Sequence, residues 1–302
     1  MQAEYKSGFV TLIGRSNVGK STLVNAMVGE KVAIVSDRPQ TTRNQIRGVL
    51  HRPDYQIVFI DTPGLHKPHN KLGQYMVRSA GAALDDVDVA LAVMDASVPV
   101  GGGDRAVMER LATLKHTPVI LVLNKIDLVP KSALLQTIDT FRQYDFITDI
   151  VPISARTFEG VDILEELIAK YLKPGPKYFP EDMYTDQPER VIVSEIIREK
   201  ALTCLRDEIP HGIGVEVVQM KTRDNDMIDI HTDIIVEREN HKGIVVGKKG
   251  EMLKKIGSRA RADIEALLGN PVNLQLWVKT RDNWRDSVNV LRDLGYDEKN
   301  DI

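Results

Sequence analysis

The chain has 302 residues, of which 42% are hydrophobic and 27% charged, so its length suits about two globular domains. A single cysteine, Cys204, excludes a disulfide framework and any metal site built from several thiolates. The formal net charge of −3 excludes no class of partner, because an average over two domains can hide a basic face on one of them.

No run in the sequence approaches the roughly 20 apolar residues that a membrane-spanning helix needs. The N-terminus also carries no secretory apolar region. We therefore expect a cytoplasmic protein without an integral membrane segment. The sequence leaves peripheral association with the inner face of the cell membrane open.

The first motif is a phosphate-binding loop at 14–21, which fits G-x-x-x-x-G-K-[ST] between a predicted strand (9–13) and a predicted helix (22–29). Such a loop points consecutive N–H groups inward at a helix N-terminus, where a polyphosphate is stabilised. We expect Lys20 to reach the β- and γ-phosphates and Ser21 to ligate magnesium. The residues predicted to surround the phosphates are Gly14, Arg15, Ser16, Asn17, Val18, Gly19, Lys20, Ser21 and Thr22.

Two later segments are predicted to reach the same magnesium ion. Residues 31–43 form a polar stretch without periodicity, in which Thr42 is the candidate ligand and Thr41 the second choice; an ordinary polar loop is the alternative. The next apolar strand ends in D-x-x-G, where Asp61 would hold magnesium through water and the Gly64 N–H would meet the γ-phosphate. The nucleotide-contacting residues predicted here are Asp61, Thr62, Pro63, Gly64 and Leu65.

Two motifs further along the chain are predicted to select the base. A strand ends in N-K-x-D at Asn124, Lys125 and Asp127, and a later strand leads into Ser154 and Ala155. The Asp127 carboxylate can accept from both N1–H and the 2-amino group of guanine, and adenine offers neither donor. The Ala155 N–H is predicted to donate to guanine O6. The sequence therefore favours GTP over ATP.

Each of these motifs follows a predicted strand, which places all of them at one edge of a parallel sheet. Residues 1–172 thus resemble a Ras-like P-loop GTPase domain with a mostly parallel six-stranded sheet. Residues 173–189 carry five prolines and glycines among few apolar residues and are predicted to be a linker. Residues 190–302 form the second predicted domain, with helices at 190–208 and 251–268, strands at 212–221, 227–237 and 272–279, and a short C-terminal helix from Trp284 that covers the sheet.

The second domain contains a G-x-x-G turn between two helices, made by Gly247, Lys248, Lys249 and Gly250. Bare glycines allow a nucleic-acid backbone to come close, and the lysines meet its phosphates. The order helix, strand, strand, helix, turn, helix, strand resembles a smaller α+β type II KH domain. A solvated helix face with an N-cap glycine is the alternative.

Local charge supports the KH interpretation. Residues 238–261 contain eight basic and two acidic side chains, a net charge of +6 on an acidic chain. Apolar residues before the turn could form the floor of a groove for unstacked bases, with Ile256 opposite, or could belong to the core. Beyond the turn itself, the predicted RNA-binding residues are Ile244, Val246, Lys254 and Lys255.

These motifs, with Q-T-T-R at 40–43 and S-E-I-I-R-E-K at 194–200, closely resemble the Era family of bacterial GTPases over the full length. The family's phosphate loop commonly has proline where this chain has Ser16. The resemblance implies a GTP-switched factor in small (30S) ribosomal subunit assembly, with Mg²⁺ as cofactor. It also implies a KH domain that binds single-stranded RNA near the 3′ end of 16S rRNA.

Hydrolysis in Ras-type enzymes uses a glutamine after D-x-x-G, and this chain has Leu65 there. We therefore expect slow intrinsic turnover, roughly at or below the 10⁻⁴ to 10⁻³ s⁻¹ of an unassisted Ras protein. The predicted catalytic residues are Lys20, Thr42 and Asn17, the last because asparagine at this position in related GTPases binds K⁺.

Two alternatives to a coupled GTPase stay open on the sequence alone. The first is a nucleotide-sensing RNA chaperone in which hydrolysis is incidental. The second is a GTPase that modifies tRNA, although the sequence contains no paired cysteines or cofactor motif for such chemistry.

Overall fold

The computed structural model describes residues 4–36, 38, 40–65, 67–206 and 209–296, and its first domain is built on one sheet. The main strands are β1 (Lys6–Ile13), β2 (Ile46–His51), β3 (Tyr55–Asp61), β4 (Val89–Asp95), β5 (Val119–Asn124) and β6 (Ile147–Pro152). They lie in the order β2-β3-β1-β4-β5-β6, and only β2 is antiparallel to its neighbour. The predicted mostly parallel sheet is confirmed, and a two-residue strand, β7 (Lys173–Pro174), adds to it beside β1.

Helices cover both faces of this sheet. They are α1 (Lys20–Val28), α2 (Lys71–Ala82), α3 (Gly102–Leu111), α4 (Lys131–Phe141) and α5 (Val161–Tyr171). In β4, Leu91 and Val93 join the hydrophobic cluster under α1 and α5, whereas Ala92 and Met94 join the cluster under α3 and α4. Because both faces are buried, the strands read as continuous apolar runs, and the motifs that follow them meet at one edge.

The segment between α5 and the second domain is fixed to the first sheet. The buried Gln56 side chain accepts from the backbone N–H groups of Tyr178 and Phe179 at 2.8 and 3.1 Å and donates to the Phe179 carbonyl at 2.8 Å. On strand β2, the Val49 N–H donates to the Tyr184 carbonyl at 2.9 Å. The proline-rich segment is therefore an ordered arm, and the domain limits at 172 and 189 stay predictions.

The second domain has a three-stranded sheet covered by helices on one face. Its elements are α6 (Glu189–Cys204), β8 (Gly214–Thr222), β9 (Ile228–Val236), α7 (Glu239–Val246), α8 (Glu251–Leu268), β10 (Val272–Thr280) and α9 (Val288–Asp293). The strand order is β10-β9-β8, with β10 parallel and β8 antiparallel to β9. This topology confirms the predicted type II KH domain. Among the described residues, no helix is long and apolar enough to cross a membrane.

Two predictions for this domain need revision. Helix α6 ends at Cys204, before the predicted end at 208, because Leu205 turns to an extended conformation and buries its side chain in the core; residues 207 and 208 lie outside the described residues. Trp284 does more than cover its own sheet. It is fully buried between the domains, in a cluster that includes Leu72 and Met76 of α2.

Replacing Trp284 by alanine should lower the free energy of unfolding by about 3–5 kcal/mol, because a large cavity forms in the domain interface. The substitution also leaves the Gly212 carbonyl without the indole N–H that donates to it at 2.9 Å. Trp277, which is 45% exposed, is the matched control, and its replacement should cost less than about 1 kcal/mol. Urea denaturation followed by circular dichroism measures both, and equal losses would contradict this placement.

Candidate functional site

Three oxygen-bearing side chains from separate segments meet at the start of α1. The Ser21 hydroxyl donates to Asp61 Oδ2 at 2.5 Å and lies 2.8 Å from Thr42 Oγ1, which itself donates to Asp61 Oδ2 at 3.2 Å. Asp61 is fully buried, and its Oδ1 has no hydrogen-bond partner among the described residues. Burial raises the pKa of Asp61, and the charge of Lys20 and the two hydroxyls oppose that rise. Hard oxygen ligands of this kind suit Mg²⁺, and the unpartnered oxygen suits a metal-bound water.

Lys20 lies within the phosphate-binding loop. Its ammonium donates to the carbonyls of Gly14 at 3.3 Å and Arg15 at 3.1 Å, and burial lowers the pKa of this lysine. The turn before it requires glycine, since Gly19 has a φ of 97° and a Cβ there would lie 2.2 Å from Asn124 Nδ2. The loop thus places a buried cation and a helix N-terminus at one anion site.

Some predicted phosphate-site residues turn their side chains elsewhere. Arg15 Nε donates to Asp104 at the start of α3, at 2.7 Å. The Leu65 N–H donates to the Gly14 carbonyl at 3.1 Å, while the Leu65 side chain packs on the cluster under α3 and α4. The Thr62 hydroxyl donates to the backbone of β1 at 2.6 Å, which fixes the D-x-x-G turn. Leu65 therefore contributes its backbone to this region, while its partly buried side chain packs against the core.

A single cavity joins the phosphate-binding loop, the D-x-x-G turn and residues 34–36 and 40–42. The sequence prediction missed Ile34, Val35, Ser36 and Gln40, which line it; the apolar run at 32–35 inside a polar stretch was the available signal. Val18 and Pro63, predicted for the site, are buried and are not in its lining. The predicted residues that do line it are Ser16, Asn17, Gly19, Lys20, Ser21, Thr22, Thr41, Thr42 and Gly64.

The base-selecting motifs also come together. Asn124 Nδ2 donates to the Val18 carbonyl at 2.8 Å, and Asn124 Oδ1 accepts from the Ala155 N–H at 3.0 Å. Ser154 Oγ donates to Asp127 Oδ1 at 2.7 Å, and the Asp127 side chain is exposed at the edge of the sheet. A guanine O6 atom would therefore share the Ala155 N–H with Asn124, as a three-centre hydrogen bond allows.

Lys125 connects the N-K-x-D motif to the phosphate-binding loop. Its ammonium donates to the Asn17 carbonyl at 2.8 Å and to Asp95 Oδ2 at 2.6 Å. Both Lys125 and Asn17 have a positive φ, 68° and 65°. The two ends of the nucleotide site are thereby held at a fixed separation.

The G-x-x-G turn connects α7 to α8. Gly247 has a φ of 73°, and a Cβ there would lie 2.6 Å from Met252 Cβ, so this position requires glycine. Lys248 and Lys249 are exposed, and Gly250 precedes the first residue of α8. The turn therefore presents bare backbone and two cations at a helix N-terminus.

A groove of about 350 Å³ lies between α8 and β10. Its apolar wall comes from Leu274 and Leu276, whose period-two spacing in β10 was the signal that the sequence prediction missed. Val245, one of the apolar residues before the turn, and Ile256, predicted to lie opposite them, are fully buried in the domain core, as the alternative had it. The lining comprises Leu253, Lys254, Gly257, Ser258, Arg261, Leu274 and Leu276, while the predicted Ile244, Val246 and Lys255 lie outside it.

Comparison with known proteins identifies the family. Residues 9–125 match a family described as 50S ribosome-binding GTPase, and residues 208–285 match the KH domain. GTPase Era of Clostridium botulinum (strain Eklund 17B) is 52% identical over 98% of this chain and 100% of its own length. GTPase Era of Clostridioides difficile (strain 630) is 53% identical, with the same shares of both chains. The chain belongs to the Era family of GTPases.

Solved Era structures agree with this assignment. Era in complex with MgGDPNP and nucleotides 1506–1542 of 16S ribosomal RNA superposes with a TM-score of 0.93 at 42% identity, over 97% of this chain and 99% of the other. An Aquifex aeolicus Era variant bound to GDP and AlF₄⁻ gives a TM-score of 0.92 at 42% identity, over 96% and 99%. The predicted family and the GTPase activity are confirmed.

Proposed function

We propose that this Era-family GTPase is a GTP-controlled RNA-binding factor that acts in assembly of the small (30S) ribosomal subunit. One observation carries the proposal: the magnesium-type oxygen cluster and a basic KH groove occur in one chain, and a similar structure was solved with both MgGDPNP and the 16S rRNA segment 1506–1542. This chain would bind the same region near the 3′ end. Cytoplasmic location and peripheral association with the inner face of the membrane stay predictions.

The nucleotide roles follow from the oxygen cluster. Ser21 and Thr42 would ligate Mg²⁺ directly, and Asp61 would hold it through a water on the unpartnered Oδ1. The ion supplies positive charge against the β- and γ-phosphates. Lys20 would transfer its N–H donors from the loop carbonyls to those phosphates, and Asp127 would accept from guanine N1–H and the 2-amino group.

The RNA roles follow from the turn and the groove. Lys248, Lys249 and Lys254 would pair with phosphates of a single strand. Unstacked bases would enter the groove against Leu274 and Leu276. The RNA backbone would approach the bare glycines, and its phosphates would pair with the lysines beside them. Because these contacts are electrostatic, the affinity for RNA should fall as the salt concentration rises.

The alternative is an RNA chaperone with incidental hydrolysis. The two differ in whether bound RNA changes the rate of GTP hydrolysis. We expect a 16S rRNA 3′-end oligonucleotide to raise the single-turnover rate of GTP hydrolysis about fivefold or more, the lower end of ordinary coupling. A Lys248→Ala/Lys249→Ala variant should lose that acceleration at RNA concentrations that saturate the parent protein, because its affinity falls. Its log–log salt slope should also be shallower by about 1.4, since each of the two lost phosphate contacts removes roughly 0.7.

The matched control replaces Lys131 and Lys170, which are exposed on α4 and α5 of the GTPase domain. This double variant loses the same charge and should keep both the RNA affinity and the acceleration. An unchanged rate with bound RNA in the parent protein would favour the chaperone. Full RNA affinity in the Lys248→Ala/Lys249→Ala variant would refute the placement of the RNA site.

We also propose that Asn17 helps to bind K⁺ beside the phosphates. The neighbouring arginines are engaged elsewhere, since Arg15 pairs with Asp104 and Arg43 donates to carbonyls of the KH domain. The residue after D-x-x-G is Leu65, which carries no amide to orient water, and its partly buried side chain packs against the cluster under α3 and α4. Asn17 lies exposed in the lining of the phosphate cavity, where a cation could compensate charge on the leaving group.

Hydrolysis should therefore be about tenfold faster in KCl than in NaCl at equal ionic strength, within the range of one electrostatic contact. The Asn17→Ala variant should lose this difference while its affinity for GDP stays within about twofold of the parent. Rates measured by phosphate release under single-turnover conditions decide the matter. Equal rates in the two salts for the parent protein would refute the proposal.

A further inference from the structure

The loop that carries Thr42 is held by the KH domain on both sides of that residue. Arg198 of α6 donates from Nη2 to the Thr41 carbonyl, and its side chain is fully buried. On the other side, Arg43 donates to the carbonyl of Ile213 at 2.6 Å. The peptide unit before Thr42 and the side chain after it are thus bound to the second domain, while the Thr42 hydroxyl contacts the first.

Two consecutive residues of α6 make complementary contacts with this loop. Arg198 donates to a loop carbonyl, whereas Glu199 Oε1 accepts from the Val35 N–H at 3.0 Å. Glu195, one turn earlier, forms an ion pair with Arg198 and orients its guanidinium. A buried donor and acceptor pair of this kind specifies backbone position, because displacement would leave polar groups unsatisfied away from water.

We propose that Arg198 is a positioning residue for GTP hydrolysis: it holds the Thr41 carbonyl so that the Thr42 hydroxyl stays against Ser21 and Asp61. The inference rests on the proposed role of Thr42 as a magnesium ligand. Arg198 does not line the phosphate cavity, and it would act on Thr42 through one peptide unit. Replacing Arg198 should therefore affect only the steps that need Thr42, which are binding of the triphosphate with Mg²⁺ and its hydrolysis.

This dependence separates positioning from a general structural role. Loops of this kind are ordered through the γ-phosphate and Mg²⁺ and released in the diphosphate state. Loss of the Arg198 contact should thus weaken binding of a GTP analogue and slow hydrolysis, with little effect on GDP. A residue that only stabilised the fold would affect both nucleotides alike.

The experiment compares Arg198→Met and Arg198→Lys with Thr42→Ala in the full chain. We expect Arg198→Met to lower the single-turnover rate at saturating GTP about tenfold, which lies within the range of ordinary coupling energies. The Mg²⁺ concentration needed for half the maximal rate should rise as well. The affinity for GDP should stay within about twofold of the parent. Arg198→Lys keeps one donor within reach of the carbonyl and should recover part of the rate.

Arg281→Met is the matched control, because Arg281 pairs with Glu216 at 3.1 Å inside the KH domain. It should hydrolyse GTP at the parent rate. If Arg198→Met is too unstable to assay, Glu195→Gln weakens the orienting ion pair at a more exposed position and should shift rate and Mg²⁺ dependence in the same direction.

Each outcome has a definite meaning. A parent-like rate in folded Arg198→Met, an equal loss of GDP and GTP-analogue binding, or a similar defect in Arg281→Met would overturn the proposal for Arg198. Should Thr42→Ala hydrolyse GTP normally, the magnesium role of Thr42 fails instead. The positioning role is supported when Thr42→Ala and Arg198→Met share the Mg²⁺-dependent defect and the double variant is no slower than the slower single variant.

Discussion

The position of one hydroxyl group, that of Thr42, constrains both halves of the molecule. It lies 3.2 Å from the Asp61 carboxylate and 2.8 Å from the Ser21 hydroxyl, at a buried point where three oxygen-bearing side chains of the kind that suits a divalent cation converge. On either side of it an arginine crosses between the domains: Arg198 donates to the Thr41 carbonyl, and Arg43 donates to the Ile213 carbonyl. Nucleotide chemistry and domain docking therefore depend on the same short stretch of backbone.

A charge network extends this constraint toward α8, the helix that we propose binds RNA. Lys31, at the start of the loop, pairs with Glu199 of α6 at 2.7 Å and with Asp263 of α8 at 2.8 Å, and Lys200 pairs with the same Asp263 at 2.5 Å. Helix α8 also carries Lys254 of the groove. Lys31, Lys200 and Asp263 are partly exposed, so the ion pairs of Asp263 contribute modestly to stability, whereas Glu199 is buried. These ion pairs nevertheless connect the Thr42 loop to α8. Through them, nucleotide binding at the loop would change the affinity of α8 for RNA, and RNA binding would change the affinity for nucleotide.

The sequence predicted the features that depend on local pattern, and it missed those that depend on tertiary packing. The carboxyl ends of parallel strands lie at the same edge of a sheet, so motifs that follow those strands meet there. The placement of Ser21, Asp61 and Asp127 at that edge was therefore predictable from the sequence. The buried roles of Arg198 and Trp284 were not, because a charged residue on an amphipathic helix and an indole near the C-terminus carry no sign of a partner in another domain. Leu65 was interpreted by its place in a motif, whereas packing under α3 and α4 determines where its side chain lies.

The central claim is that nucleotide state and RNA binding are coupled through the Thr42 loop. The most direct test is the dissociation constant of a 16S rRNA 3′-end oligonucleotide, measured in Mg²⁺ with a non-hydrolysable GTP analogue and again with GDP. Binding should be at least about fivefold tighter with the analogue, the lower end of ordinary coupling energies. Equal dissociation constants in the two states would contradict it.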